Sequence, residues 1–220
     1  MSKKQEATAV LTVVVNVVFE LARHRPSNFV ALIPSLFSLL QSPLSSNWMR
    51  LKLLKLLSVM LPAEPRLLRK LLPVVNEIVR NEHSQAVLIE AIELVASVPD
   101  PGSVPADLVR LCVAQLRTRF VRNASGDTNV RLLGMRVLRL FQERFGDALD
   151  TSTKRELRAL VLQCLDDAHA GTEVKKCALK LLEHMASESN LPQIVSKLLD
   201  HLEPAKDAER HAPLSTEYRG

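Results

Sequence analysis

At 220 residues and 47% apolar but only 4% aromatic, the chain has enough Leu, Val and Ala for one large core or a run of small repeats. Six glycines are too few for hairpin-rich β architecture or for glycine-lined phosphate loops, which leaves helices packed on helices. The 29 basic and 24 acidic side chains, net +5, are interspersed along the chain, so an acidic partner is permitted but not required.

In chain order, the first apolar run predicts a helix over 7–23. Its basic start resembles a secretion leader, but Asn16 and Glu20 interrupt the run and no small-residue cleavage site follows. Pro26 opens a second helix over 28–41, and Pro34 inside it predicts a kink or a late start. "NWMRLKLLKLL" begins a helix over 47–61, and Pro65 opens its partner over 65–81, with Pro73 inside. A third pair follows over 84–97 and 105–121, joined by the turn-rich "SVPDPGSVPAD", with Pro105 at the second start. After "VRNASGD" come helices over 127–144 and 154–165, the latter entered by Thr153-Lys154-Arg155-Glu156, which has capping-box spacing. The last pair covers 172–187 and 191–202, and 204–220 reads as a polar, loose tail. No stretch approaches the ~20 uncharged apolar residues of a membrane span. Three cysteines (Cys112, Cys164, Cys177) in no framework spacing imply a reducing compartment and buried thiols, hence a soluble, cytosolic chain.

The pairs repeat. Met49–Leu57 aligns with Val130–Leu138 and Val174–Leu182, and weaker copies start at Val10 and Val87. Starts at 10, 49, 87, 130 and 174 are 39, 38, 43 and 44 residues apart, near the ~40–47 period of HEAT and armadillo units. Prolines 26, 65 and 105 repeat at 39 and 40, and Pro192 continues the series. The fold class is all-α: an α-α superhelix of HEAT/armadillo type, about ten helices in five pairs over 1–203. In "NWMRLKLLKLL", Lys52 and Lys55 share one narrow side, without the broad polar face of an interfacial helix. The Lys55 position is polar in every copy (Asn16, Lys55, Glu93, Arg136, Lys180) whatever its sign, so it is selected for water.

Chemical motifs are sparse. Asp166-Asp167 reads as a turn between helices rather than an acid/base pair. Cys164, His169, Cys177 and His184 lack zinc spacing, and both cysteines fall on apolar helix faces. The sequon Asn123-Ala124-Ser125 is of a kind that arises by chance, and Trp48 reads as core packing. With no nucleophile elbow or phosphate loop, no enzyme, cofactor or metal is expected, and there are no catalytic residues to name. Arg66, Arg69 and Lys70, and separately Lys175 and Lys176, are candidate contacts for an anionic membrane or a partner, at about 1 kcal/mol per side chain near lipid. The plainer reading of both clusters is a solvated helix face.

"NWMRLKLLKLLSVMLPAEPRLLRKLL", "NVVFELARHRPSNFVALIPSLFSLL" and "LVLQCLDDAHAGTEVKKCALKLLEHMASESNLPQIVSKLL" together resemble the trunk of the adaptins, the large subunits of vesicle-coat adaptor complexes. Within that family they are more similar to the delta chain of adaptor protein complex 3 than to alpha, gamma or epsilon chains. The resemblance implies a non-enzymatic scaffold in transport from Golgi or endosome to lysosome or vacuole. It implies partnership with a beta-type large chain, a mu medium chain and a sigma small chain, recruitment by an Arf-type GTPase, and no nucleic acid. It implies a cytoplasmic location, peripheral on Golgi and endosomal membranes and coated vesicles. Adaptin large chains are far longer, so the sequence reads as a central fragment of that trunk.

Other readings are a coatomer or phosphatase scaffold, a nuclear-import armadillo receptor, and a peripheral module on anionic membranes. The import receptor is disfavoured by the single tryptophan, since its groove repeats Trp and Asn. Val13-Val14-Val15-Asn16-Val17-Val18 looks uncapped, which predicts that the isolated chain self-associates or needs a neighbour.

Overall fold

The computed structural model describes residues 3–43, 45–122, 126–188, 190–196 and 198–199. The tail at 204–220 and the sequon at 123–125 lie outside them. All regular structure among the described residues is helical. The helices are α1 (Lys3–His24), α2 (Ile33–Gln41), α3 (Asn47–Met60), α4 (Leu67–Asn81), α5 (Gln85–Ala96), α6 (Ala106–Gln115), α7 (Thr128–Phe145), α8 (Thr151–Asp166) and α9 (Thr172–Met185). Residues 191–196 form α10. The chain divides into two compact units, Met1–Leu149 and Asp150–Gly220.

Local chemistry sets where the helices begin. The Ser46 hydroxyl accepts the Met49 N–H at 3.2 Å, and Asp127 accepts from Asn129 and Val130, so α3 and α7 start with satisfied donors. The capping box expected at Thr153 is corrected. Asp150 caps α8 one turn earlier, taking the Thr153 N–H at 3.0 Å and the Thr153 hydroxyl at 2.6 Å. A carboxylate is the stronger acceptor, so Thr153 is used as a donor. Those two bonds hold the Asp150 pKa below the ordinary carboxylate value.

Pro34 produces the late start: a 3-10 turn runs over Pro26–Leu32, and α2 begins at Ile33. Pro73 instead stays inside α4. Its ring has no N–H, so the Arg69 carbonyl loses its usual helical donor, and Pro73 is solvent-exposed.

In the first unit α1, α3, α5 and α7 pack each against the next, while α2 lies on α3, α4 on α5 and α6, and α6 on α7. The result is two layers of helices. Their seam is built from side chains such as Leu53, Leu57, Leu71, Val75, Leu88, Ile92, Phe120 and Phe141, all within 1% of full burial. Each fully buried aliphatic side chain contributes about 1.5–3 kcal/mol. In the second unit α8 packs on α9 through residues including Leu157, Val161, Val174 and Leu181. Buried Asn190 finishes α9: its amide donates to the Met185 carbonyl at 3.1 Å and accepts the Ser187 N–H at 2.9 Å.

The repeat register holds. Leu53, Gly134 and Ala178 occupy matching positions and all are buried, while Asn16, Lys55, Glu93, Arg136 and Lys180 all retain contact with water. Lys55 also reaches across to α5, where its ammonium lies 2.8 Å from the carboxylate of Glu90. Burial pushes the Glu90 pKa above the ordinary value in spite of that partner.

Candidate functional site

An open trough of about 1130 Å³ runs along α4 in the first unit. Its near wall is one face of that helix, with Arg66, Arg69, Lys70, Pro73, Asn76 and Arg80 at helical spacing from one end to the other. Fourteen residues separate the outermost pair, so the wall is about 21 Å long at 1.5 Å per residue. Leu68, Leu72 and Leu108 give it an apolar floor. The far wall is the entry to α6, where Pro105 precedes the helix and a 3-10 turn over Pro101–Ser103 brings in Ser103. That turn is pinned by Asp100, whose carboxylate accepts the Gly102 N–H at 3.0 Å.

The charge is one-sided. Arg66, Arg69, Lys70 and Arg80 are exposed, and among the described residues none has a hydrogen-bond or ion-pair partner. Among the described residues Asp107 is the one acidic side chain lining the trough, and it pairs with Arg110 on its own helix. Other basic residues are engaged: Arg50 with Glu82, Lys55 with Glu90, Arg139 with Glu143, and Arg144 with the carbonyls of Val98 and Pro99.

Three of the five basic residues singled out in the sequence, Arg66, Arg69 and Lys70, therefore line one site. Lys175 and Lys176 are not part of it. They belong to the first turns of α9 in the second unit, where Lys176 pairs with Glu173 at 2.8 Å. Sequence reasoning missed Arg80, although its spacing from Arg66, Arg69, Pro73 and Asn76 is helical and a full-length wheel of α4 would have found it. It also missed Ser103, Pro105 and Leu108, which only tertiary packing brings alongside.

Asp167 and the cysteines sit as their plainer readings predict, and Trp48 does not. Asp167 lies in the turn after α8 and accepts the His169 N–H at 2.9 Å. Cys112, Cys164 and Cys177 are all buried, and burial pushes the Cys112 thiol up to about 12. Trp48, expected in the core, is instead 44% exposed. It stands on the outward side of the first turn of α3, with the Lys52 ammonium 5.6 Å from its ring centre and one helical turn away. The same ammonium lies 4.9 Å from the Phe19 ring of α1.

Comparison with known proteins gives one consistent answer. Residues 3–216 match the family described as "Adaptin N terminal region". The chain is 36% identical over 199 residues to the AP-3 complex subunit delta of Dictyostelium discoideum, covering 90% of this chain and 16% of that protein. It is 32% identical over 196 residues to the AP-3 complex subunit delta-1 of Bos taurus, covering 87% and 15%. It is 32% identical over 202 residues to the AP-3 complex subunit delta of Schizosaccharomyces pombe, covering 91% and 23%. The chain thus spans well under a third of the length of these relatives.

Proposed function

Because the chain belongs to the adaptin family, we propose that it is a scaffold segment of a vesicle-coat adaptor complex of the AP-3 type, acting in intracellular protein transport. The observation that carries this reading is the similarity to delta subunits along nearly the whole chain. A scaffold is also what the repeat pattern suits. Buried positions keep their apolar character from copy to copy, while the wet positions change sign freely and so are available for partner contacts. In this reading the chain catalyses nothing. It presents helix ridges to a beta-type large chain, a mu chain and a sigma chain, and the assembly is recruited by an Arf-type GTPase to Golgi or endosomal membranes. Arg66, Arg69, Lys70, Lys175 and Lys176 are surface positions at which such partners or anionic headgroups would be met.

The test is affinity purification of the tagged chain from cells, with identification of the co-purifying subunits. Recovery of sigma-type and beta-type adaptor subunits is the expected result. Recovery of coatomer, of phosphatase subunits or of import cargo in their place would overturn it.

A further inference from the structure

Among the described residues that line the trough, Ser103 is the one that carries a hydroxyl, and it is exposed on the 3-10 turn at the entry to α6. The turn closes without that side chain. The Asp100 carbonyl accepts the Ser103 N–H at 3.2 Å, and the Asp100 carboxylate accepts the Gly102 N–H at 3.0 Å. The hydroxyl only adds a second bond to the same carbonyl, at 2.6 Å. Register places it more closely. Gln115 of α6 bonds the Val79 carbonyl, and Arg119 reaches the carbonyls of Glu82 and His83, so α4 and α6 run parallel with an offset of 36 or 37 residues. Carried back to the start of α6, that offset sets Ser103 level with the first turn of α4, beside Arg66, Arg69 and Lys70. Arg80 belongs to the far end, about 21 Å from Arg66. The three near cations are exposed, and among the described residues none has a hydrogen-bond or ion-pair partner.

We propose that Ser103 is a phosphorylation site whose phosphate is held within the same chain by Arg66, Arg69 and Lys70, tying the entry of α6 to the start of α4. In the transfer, the Ser103 oxygen bonds to the terminal phosphorus of a nucleoside triphosphate carried by a protein kinase. The bond from that phosphorus to the leaving diphosphate breaks, and the hydroxyl proton passes to the kinase. Asp100 and Asp107 flank the serine, and no basic residue falls between 98 and 109, so the kinase is one that accepts acidic, proline-containing sequence. The product carries close to two negative charges and three acceptor oxygens. It has lost the hydroxyl proton that bonded the Asp100 carbonyl, and the carboxylates of Asp100 and Asp107 repel it from its own turn. Across the trough α4 offers the opposite, two guanidinium forks and an ammonium with no competing partner. Opening a three-residue surface turn to reach a kinase disturbs neither α5 nor α6. None of this depends on the adaptor reading, because it rests on this turn and on α4 alone.

The experiment has two arms. In the first, the full chain is isolated from cells treated with phosphatase inhibitor, and fragment-ion mass spectrometry of the peptide ending at Arg110 should locate phosphate on Ser103. In the second, phosphoserine is placed at position 103 of the full chain by genetic code expansion, and its second ionisation is followed by phosphorus NMR as pH is varied. Cations beside the phosphate favour the dianion, so the midpoint should fall about one pH unit below that of a free phosphopeptide spanning residues 98–109. That peptide carries the same Asp100 and Asp107, so the difference reports α4. Arg66→Gln with Arg69→Gln and Lys70→Gln should return the midpoint to the peptide value, and Lys175→Gln with Lys176→Gln, in the other unit, should leave it lowered. All five side chains are at the surface, and circular dichroism checks helix content in each variant. A Ser103 found unmodified in the isolated chain would overturn the modification. A midpoint equal to the free peptide's, or one that stays lowered in the triple variant, would overturn the tie to α4.

Discussion

Gly134 marks a close approach between α7 and the segment before it. A Cβ built on it would stand 2.3 Å from the Cβ of Phe120, a side chain only 1% exposed in the π-helical turn over Leu116–Val121. Neither side can yield: one is helix backbone in the middle of α7, the other a fully packed aromatic at its first side-chain carbon. Gly134→Ala should therefore destabilise the protein by about 1–3 kcal/mol, the usual range for overpacking, despite the better helix propensity of alanine. Urea unfolding followed by circular dichroism would show it as a lowered midpoint, and an unchanged midpoint would refute the close approach. The matching position holds Leu53 in α3 and Ala178 in α9, both fully buried. In α3, α7 and α9 this position is buried, while the size of each residue answers to its own neighbour.

Between elements, polar side chains lock the layers in sequence. Glu82, the residue that closes α4, is tied to three places. Its carboxylate pairs with Arg50 of α3 and accepts the Ser84 N–H at 2.8 Å, and its carbonyl, with that of His83, receives the guanidinium of Arg119. Gln115 adds a bond to the Val79 carbonyl at 3.1 Å. These donors satisfy carbonyls at the end of α4 that the helix itself leaves open. Burial by itself would raise the Glu82 pKa. The Ser84 amide and the Arg50 charge outweigh it, and the pKa lies below the ordinary carboxylate value.

A depressed carboxylate pKa stabilises the fold above the ordinary glutamate value, and that contribution is lost as pH falls through the folded value. Glu82→Gln should accordingly cost about 1–2 kcal/mol near neutral pH, the scale of charge-assisted bonds in a partly solvated site. The gap to the parent should close as the pH is taken below the folded pKa. Denaturant midpoints measured across that range test this, and a gap that persists or widens in acid would contradict it. Glu90, with its raised pKa, works in the opposite direction: its burial costs stability as pH rises through its folded value, in part offset by Lys55.

For the molecule as a whole, α1 carries an apolar stripe that the other helices of its layer do not leave open. Val10, Val14, Val17 and Leu21 are 62, 48, 50 and 53% exposed, whereas Met49, Leu53, Leu56 and Met60 at the same register in α3 are at most 2% exposed. The same stripe that α3 buries against neighbouring helices is thus bare on α1, and Val13 at 63% widens it. With about 1.5 kcal/mol or more available per buried Val or Leu, the chain should self-associate through this face. Sedimentation should show a mean mass that rises with concentration. Val13→Glu with Val17→Glu should restore a monomer at unchanged helix content; a parent chain that stays monomeric throughout would count against the stripe as an adhesive face.

Much of this molecule was legible in its sequence, because an amphipathic helix writes its burial pattern into residues three and four apart and a repeat writes it several times over. The all-α class, the five helix pairs, the buried cysteines, the alternation of buried and wet positions and half of the basic trough on α4 all follow from local period. Other features came only from the fold. The outward turn of Trp48, the capping of α8 by Asp150 in place of Thr153, the far wall of the trough at Ser103, Pro105 and Leu108, and the tie of Glu82 to Arg50 and Arg119 each depend on residues distant in the chain or on competition between alternative local bonds. Periodicity determines which face of a helix is covered. Which atoms cover it depends on the packing of one helix against the next, and no single helix carries that information.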